Sequence, residues 1–114
     1  HIVMEELKGG DLLRRVANRP VYTERDAQII CRAVLTAVAY MHSKQIVHRD
    51  INPENILLMV PNDDSSIKVA DYGFAKKLTG VNSLRTVCGT EHYVAPEVLT
   101  RTGYSELVDN WSCG

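Results

Sequence analysis

The chain has 114 residues and a formal net charge of −1, with 13 Lys and Arg against 14 Asp and Glu. This balance argues against a nucleic-acid or anionic-membrane partner, and no apolar run approaches the roughly 20 residues of a membrane span. Three Cys outside C-x-x-C pairs indicate neither a disulfide framework nor a zinc site, so we expect a reducing intracellular location, the cytoplasm by default.

The first predicted elements are a strand and a short helix. Residues His1 to Leu7 are β-prone at their start and lead into Gly9-Gly10, which predicts a strand that ends in a linker. Asp11 is then expected in the first turn of a helix that runs to about Asn18 and is ended by Arg19-Pro20.

A long amphipathic helix follows. Thr23 is a candidate N-cap, and Glu24 and Asp26 are favourable near the positive end of a helix. Apolar residues recur at intervals of three and four, which predicts one buried face of about five turns. This face comprises Ala27, Ile30, Cys31, Val34, Leu35, Val38 and Met41.

The second half of the chain predicts short strands and a loop. Ile46-Val47 is long enough only for a strand stub. Ile56 to Val60 and Ile67 to Ala70 flank a Pro-Asn-Asp-Asp turn and predict a hairpin. Lys77 to Arg85 reads as a flexible polar loop of a regulatory kind. The fold class expected is α+β, mainly helical with short β-hairpins.

Three polar residues carry the chemistry. Residues 48–55 read His-Arg-Asp-Ile-Asn-Pro-Glu-Asn, and Asp71-Tyr72-Gly73 follows. Asp50 can orient an acceptor hydroxyl and take its proton, while Asn55 and Asp71 offer the oxygen ligands that magnesium prefers. Because Asn55 enters the predicted hairpin and Asp71 leaves it, antiparallel pairing brings the two close together. The pattern is typical of phosphoryl transfer.

Further motifs in a fixed order resemble the eukaryotic serine/threonine protein kinase family, in its calcium/calmodulin-dependent group. They are Ile2 to Leu13 as the hinge, 71–73 as the Asp-Phe-Gly motif, Cys88-Gly89-Thr90 with Tyr93 to Glu97 as the end of the activation loop, and Asp109 to Gly114 as the start of the central helix. The resemblance implies a partial kinase domain over 1–114. This would be a large-lobe fragment without the small lobe and the C-terminal helices, and it is expected to be inactive alone.

The resemblance also implies ATP and Mg²⁺ as cofactors and a Ser or Thr hydroxyl of a protein as acceptor. Thr90 would help to hold Asp50 and would mark a serine/threonine acceptor. In the nucleotide cleft, Met4 would be the gatekeeper, Glu5 and Leu7 would present backbone groups to adenine, and Leu57 would lie under the base. Simple packing is the alternative interpretation of these four residues.

Other implied roles concern recognition and regulation. Asp11 and Glu54 would select basic residues upstream of the acceptor, or they are ordinary helix-start and loop carboxylates. Arg49 would pair with a phosphate on the activation loop, at Thr86 first and Ser83 second. His48 would stack with Tyr72 in a structural role and would not be a general base.

The largest departure from the family pattern is Asn52, which stands where serine/threonine kinases carry a lysine. The resemblance implies that this lysine neutralises the γ-phosphate during transfer. Removing a donor of this kind costs about 100- to 1000-fold in rate, so Asn52→Lys is expected to raise turnover. Glu91 replaces the usual proline after Gly-Thr, and Tyr72 replaces Phe.

Two alternatives from other classes follow from the same residues. A pseudokinase or scaffold would keep the fold and act by contact, but Asp50, Asn55 and Asp71 are all present. A small-molecule phosphotransferase would share their spacing, but it would not be expected to share the two motifs of residues 88–97, which build a platform for an extended peptide.

Overall fold

The computed structural model describes His1 and residues 3–114, and these residues form an α+β fold, as predicted. None of the helices in this part of the chain is both long enough and apolar enough to cross a membrane. The helices are α1 (Leu12–Ala17), α2 (Glu24–Ser43), α3 (Pro96–Thr100) and α4 (Leu107–Cys113). The strands are β1 (Ile46–Val47), β2 (Ile56–Leu58), β3 (Ile67–Val69) and β4 (Lys76–Lys77), and 3₁₀ turns span Pro53–Asn55, Tyr72–Phe74 and Glu91–Tyr93.

Both N-terminal helices begin at a side-chain cap. Asp11 lies one residue before α1, and its carboxylate accepts a hydrogen bond from the Arg14 backbone N–H at 2.8 Å. Thr23 caps α2 as predicted: its hydroxyl oxygen accepts from the Asp26 N–H at 3.2 Å, and Asp26 accepts from the Thr23 N–H at 2.9 Å. This reciprocal pair is a capping box. The hydroxyl and the N–H of Thr23 together lower the pKa of Asp26.

The buried face of α2 is narrower than predicted. Ile30, Val34, Val38 and Met41 are buried, whereas Ala27, Cys31 and Leu35 are exposed. The first set packs on the hairpin and on α1, in a cluster that also contains Leu12, Ile51, Ile56, Leu58 and Val69. The second set lies on a side of α2 that the described chain leaves largely uncovered, so the predicted burial of these three residues is wrong.

The predicted hairpin is present. Strands β2 and β3 pair antiparallel, with Ile56 opposite Val69 and Leu58 opposite Ile67. The other edge of β2 receives the linker, because the Gly9 N–H donates to the Leu58 carbonyl at 3.0 Å. A Cβ atom at Gly9 would lie 2.4 Å from the Leu58 Cβ, so only glycine allows this approach.

The predicted strand over His1 to Leu7 is wrong for residues 3–7, which have no regular structure, and Ile2 lies outside the described residues. The edge of β2 that does not pair with β3 is occupied by Lys8 and Gly9, whose N–H groups donate to the carbonyls of Met59 and Leu58. A strand needs a neighbouring strand for its backbone hydrogen bonds, and the described chain places none beside 3–7.

A second apolar cluster lies around α3 and α4. It contains Val47, Leu84, Ala95, Val98, Tyr104 and Val108. The prediction of a flexible loop over 77–85 is wrong at two of its residues. Lys77 pairs with Ile46 in the β1–β4 sheet. Leu84 is only 2% exposed and exchanges backbone hydrogen bonds with Tyr104 at 3.3 and 2.9 Å. Leu78 also packs on this cluster, and its N–H donates to the Gln45 carbonyl at 2.7 Å, so the segment is anchored near both ends.

Candidate functional site

The loop of residues 48–52 is anchored at both ends. Val47, which precedes it, belongs to the cluster around α3 and α4, and Ile51 belongs to the cluster around α2. Both side chains are almost completely buried. Because packed interiors resist displacement, the backbone between them is held in place by the two clusters.

The Asp109 side chain on α4 fixes the backbone of this loop. Its Oδ1 accepts from the Arg49 N–H at 2.8 Å, and its Oδ2 accepts from the His48 N–H and from His42 Nε2, both at 2.9 Å. Arg49 has a φ of 70°, a left-handed conformation that a non-glycine residue adopts at a cost. The fully buried carboxylate of Asp109 therefore offsets that cost.

Sequence reasoning assigned no role to Asp109. It placed the residue only within the motif that opens the central helix. Its sequence neighbourhood gave no clear signal, because residues 105–112 alternate short polar and apolar stretches and do not mark Asp109 as buried.

Asp50 accepts four side-chain or backbone hydrogen bonds, unevenly divided between its two oxygens. Oδ1 accepts from the Thr90 N–H at 2.8 Å, the Thr90 hydroxyl at 2.6 Å and Asn52 Nδ2 at 3.1 Å. Oδ2 accepts from Asn55 Nδ2 at 3.0 Å. One oxygen is thus saturated, and the other keeps a lone pair for a further donor.

Thr90 reaches Asp50 because the preceding residue is glycine. Gly89 has a φ of 104°, and a Cβ atom there would lie 2.7 Å from the Arg49 carbonyl oxygen. The backbone of residues 88–90 can therefore run directly against the 48–52 loop. The predicted contact between Thr90 and Asp50 is present.

Asn55 and Asp71 lie at one end of the hairpin. The Ala70 N–H donates to the Asn55 carbonyl at 2.8 Å, so the residue before Asp71 is hydrogen bonded to Asn55. The Asn55 Nδ2 also donates to the Asp50 carbonyl at 2.9 Å. The side-chain hydrogen bonds of Asn55 use its amide nitrogen, so its amide oxygen remains available as a ligand atom.

The Asp71 side chain is exposed, and its Oδ1 accepts from the Gly73 N–H at 3.1 Å. Like Arg49, it is left-handed, with a φ of 57°. Within the described residues there is no group of three or more His, Cys, Asp or Glu that could hold a metal ion by itself.

His48 is committed to structure. Its Nε2–H donates to the Ala70 carbonyl at 3.0 Å, and its Nδ1 accepts from the Asp50 N–H at 3.3 Å. The Tyr72 ring meets it edge-on, with centroids 5.0 Å apart. With both ring nitrogens in use inside the protein, His48 is the neutral Nε2–H tautomer, and the predicted contact with Tyr72 is present.

The Arg49 side chain contacts the predicted regulatory segment through Tyr104. Its Nε donates to the Phe74 carbonyl at 2.6 Å and its Nη1 to the Tyr104 hydroxyl oxygen at 3.0 Å. Tyr104 in turn donates to the Thr86 carbonyl at 2.5 Å, and burial raises the pKa of Tyr104. The Thr86 side chain is exposed. Tyr104 had no predicted role, and nothing in its sequence neighbourhood indicated one.

Ser83, the second predicted phosphorylation site, lies apart from this group. It is exposed, and its hydroxyl oxygen accepts from the Thr79 N–H at 3.4 Å. Arg49 is connected to the backbone of Thr86 only through the Tyr104 hydroxyl, and Ser83 has no hydrogen bond to Arg49 or Tyr104 among the described contacts.

Of the predicted nucleotide-cleft residues, the structure places Leu57 and Glu5 at the hairpin. Leu57 is half-buried on the opposite face of β2 from Ile56 and Leu58. Its cross-strand partner Lys68 forms an ion pair with Glu5, which brings the linker beside Leu57. Leu7 is half-buried, while Met4 is 77% exposed.

The two predicted recognition carboxylates are placed differently. Asp11 uses its carboxylate as the cap of α1 and forms an ion pair with Arg14 at 3.3 Å. Glu54 is exposed on the 53–55 turn, and its own N–H donates to Asn52 Oδ1 at 3.0 Å. Glu54 is therefore the freer of the two to meet a cationic ligand.

Asn52 is buried, with 3% of its surface exposed, and its amide is engaged on both sides. Its Nδ2 donates to Asp50 and to the Thr90 hydroxyl oxygen at 3.0 Å, while its Oδ1 accepts from the N–H groups of Glu54 and Asn55 at 3.0 and 3.2 Å. The residue is thus part of the site, but by hydrogen bonding rather than by charge.

Comparison with known proteins gives a consistent match. Residues 1–114 match the protein kinase domain family. The calcium/calmodulin-dependent protein kinases type 1B of Rattus norvegicus and Homo sapiens are each 47% identical over 114 residues, which is 100% of this chain and 33% of theirs. The calcium/calmodulin-dependent protein kinase type 1 of Macrobrachium nipponense is 44% identical over the same share. The chain spans about a third of the length of these curated relatives.

Proposed function

Because the chain belongs to the protein kinase family, in its calcium/calmodulin-dependent kinase-like group, we propose that it forms the acceptor-side half of an ATP-dependent serine/threonine kinase site. The observation that carries the proposal is the hydrogen bonding of Asp50. Three donors hold Oδ1, and one holds Oδ2. A carboxylate that is fixed in this way and keeps a free lone pair is suited to a proton-accepting role.

In this proposal Asp50 Oδ2 meets the hydroxyl group of a Ser or Thr side chain on a protein substrate. The carboxylate orients the hydroxyl oxygen toward the transferred phosphorus and accepts its proton as the new P–O bond forms. Asp50 is 8% exposed, so little water competes for the same lone pair. Thr90 keeps the carboxylate at the angle that this transfer needs.

Asn55 and Asp71 would hold magnesium. The Asn55 amide oxygen and the Asp71 carboxylate are hard oxygen ligands of the kind that this ion takes, and phosphate oxygens of ATP would complete the set. When bound, the ion neutralises charge on the phosphates. The chain itself supports this role by holding the Asn55 side chain against Asp50, and by a hydrogen bond from the Ala70 N–H, just before Asp71, to the Asn55 carbonyl.

The surrounding residues would bind nucleotide, substrate and an activating phosphate. Met4, Glu5, Leu7 and Leu57 would line the adenine side. Asp11 and Glu54 would favour basic residues upstream of the acceptor. Arg49 would take a phosphate on Thr86, because its guanidinium already reaches that segment through Tyr104. Nothing in the charge of the chain suggests a nucleic-acid partner.

The test is transfer of phosphate from MgATP to a basic Ser/Thr peptide by the complete kinase that contains this chain. Asp50→Asn and Asp50→Ala should each lower kcat by about 100- to 10,000-fold, since a positioned proton acceptor is lost. Asp63→Asn is the matched control, because Asp63 lies in the β2–β3 turn and accepts from Ser65 instead.

A pseudokinase is the second candidate, and Asn52 favours it, since a neutral amide stands where the family carries a cation. The same assay separates the two. Transfer that is lost in the Asp50 variants and kept in Asp63→Asn would support the kinase. Undetectable transfer by the wild-type protein, together with retained ATP binding, would replace it by a nucleotide-binding scaffold.

A further inference from the structure

Asn52 has hydrogen bonds to three different parts of the site. Its amide nitrogen contacts Asp50 Oδ1 in its own loop and the Thr90 hydroxyl in the 88–90 segment. Its amide oxygen accepts from the N–H groups of the turn that carries Asn55. Within the described part of the chain, only the Asp50 carboxylate shares this property, because it accepts from Asn52, Thr90 and Asn55.

The orientation of this amide is determined by its neighbours. The Nδ2 side faces a carboxylate oxygen, a carbonyl oxygen and a hydroxyl oxygen, while the Oδ1 side faces two backbone N–H groups. Exchanging the nitrogen and oxygen atoms would set acceptor against acceptor and donor against donor. The contacts are therefore those of an asparagine, and no other uncharged side chain of this size supplies a donor on one side and an acceptor on the other.

We propose that Asn52 is a positioning residue, which holds Asp50 and Thr90 together while it caps the 53–55 turn and so sets the place of Asn55. This inference rests on the proposed kinase function and adds to it separate roles for the two oxygens of Asp50. Thr90 and Asn52 saturate Asp50 Oδ1, so that Oδ2 alone is left for the acceptor hydroxyl.

The same contacts change the expectation for Asn52→Lys. A lysine ammonium could donate to Asp50 and Thr90, but lysine has no acceptor. The N–H groups of Glu54 and Asn55 would lose their partner, and the cap of the turn would be lost with it. The predicted gain from a restored charge is thus opposed by a displaced Asn55.

The discriminating variant is Asn52→Asp in the complete kinase. Aspartate caps a turn as well as asparagine does, so a residue that served only the turn would tolerate it. At Asp50 the outcome differs, because the Asn52 donor to Oδ1 is replaced by a second carboxylate, which cannot donate and repels the first.

The positioning role predicts that Asn52→Asp lowers kcat by about 10- to 100-fold at neutral pH, with the KM for the peptide changed less than about threefold. A kcat equal to that of the wild type would overturn the inference, while the proposed function would stand. Absence of transfer by the wild-type protein would overturn both.

A double-mutant cycle keeps the inference testable if Asn52→Asp fails to fold. Asn52→Ala and Thr90→Val each remove a donor from the same oxygen of Asp50. If the two residues act as a unit, the double variant should lose less activity than the product of the two single losses. Losses that multiply would show that the two side chains act independently and would contradict the proposal.

Discussion

At the scale of single residues, Asp109 decides the shape of the loop that carries Asp50. One carboxylate accepts from two consecutive backbone N–H groups, those of His48 and Arg49, and from His42 on α2. The carboxylate is fully buried, and each of its two oxygens accepts at least one hydrogen bond. Such an arrangement stabilises only when it is complete, because removing one part leaves the others unpaired.

We expect Asp109→Asn to destabilise the complete protein that contains this chain by about 3 kcal/mol, since an amide N–H₂ would oppose donors that now share a carboxylate. The midpoint of urea unfolding measures the change. Glu106→Gln, just before α4, is the matched control, because Glu106 makes no side-chain cap there. Equal midpoints for the two variants would show that the Asp109 contacts add nothing to stability.

At the scale of elements, α2 depends on its start. The capping box between Thr23 and Asp26 satisfies N–H groups that the first turn leaves without partners. The segment before it is tied to the hairpin turn by Asp64. That carboxylate accepts from Arg15 at 2.8 Å, Arg19 at 3.0 Å and the Tyr22 hydroxyl at 3.1 Å. The helix that supports the site is thus oriented from its N-terminal end.

Thr23→Ala should cost about 1 kcal/mol of stability, because the hydroxyl that accepts from Asp26 N–H is lost. Thr23→Ser keeps the hydroxyl and serves as the control. Thermal unfolding of the two variants beside the wild type gives the difference. Equal losses in the alanine and serine variants would mean that the methyl group of Thr23, rather than its cap, matters.

Tyr22 predicts how stability changes in alkaline solution. Burial and the hydrogen bond to Asp64 raise its pKa from 10.0 to about 12. The folded state therefore favours the neutral phenol, and this contribution is complete below pH 10 and lost as the pH rises through about 12. Denaturant unfolding between pH 9 and 12 should show a shallower decline in Tyr22→Phe than in the wild type. Parallel curves would refute this.

At the scale of the whole chain, a groove of about 740 Å³ lies between α2, the 53–55 turn and α4. Leu35 and Trp111 line it and are 50% and 57% exposed. Cys113, which also lines it, is better shielded, and burial beside Asp109 raises the pKa of its thiol to about 11. Exposed apolar surface of this extent favours association or loose packing.

The 114-residue chain by itself is therefore expected to bind a dye such as 1-anilinonaphthalene-8-sulfonate, to show weak near-ultraviolet dichroism and to be cleaved readily by proteases. Leu35→Glu should reduce the dye fluorescence. Leu13→Glu should not, because Leu13 is exposed to a similar degree on α1 but lies outside the groove. Sharp near-ultraviolet bands with no dye binding would contradict the expectation.

The sequence by itself determined the features that depend on neighbours along the chain. Thr23 and Asp26 are three residues apart, so the cap of α2 was predictable, and the turn between β2 and β3 indicated the hairpin that places Asn55 beside Ala70. The family followed from motifs whose order is linear. The contact between Thr90 and Asp50 was predicted only because the family's motifs implied it.

Only the tertiary structure decided how Asp109, Tyr104 and Asn52 are used. Asp109 contacts residues 60, 61 and 67 positions away, and Tyr104 connects Arg49 to Thr86 across separate segments. Asn52 was predicted as a missing charge. Its hydrogen bonds to Asp50, Glu54 and Asn55 are local, but its bond to the Thr90 hydroxyl joins residues 38 positions apart. Local pattern specifies where helices and turns begin, whereas hydrogen bonds between distant segments depend on packing that no short stretch of sequence contains.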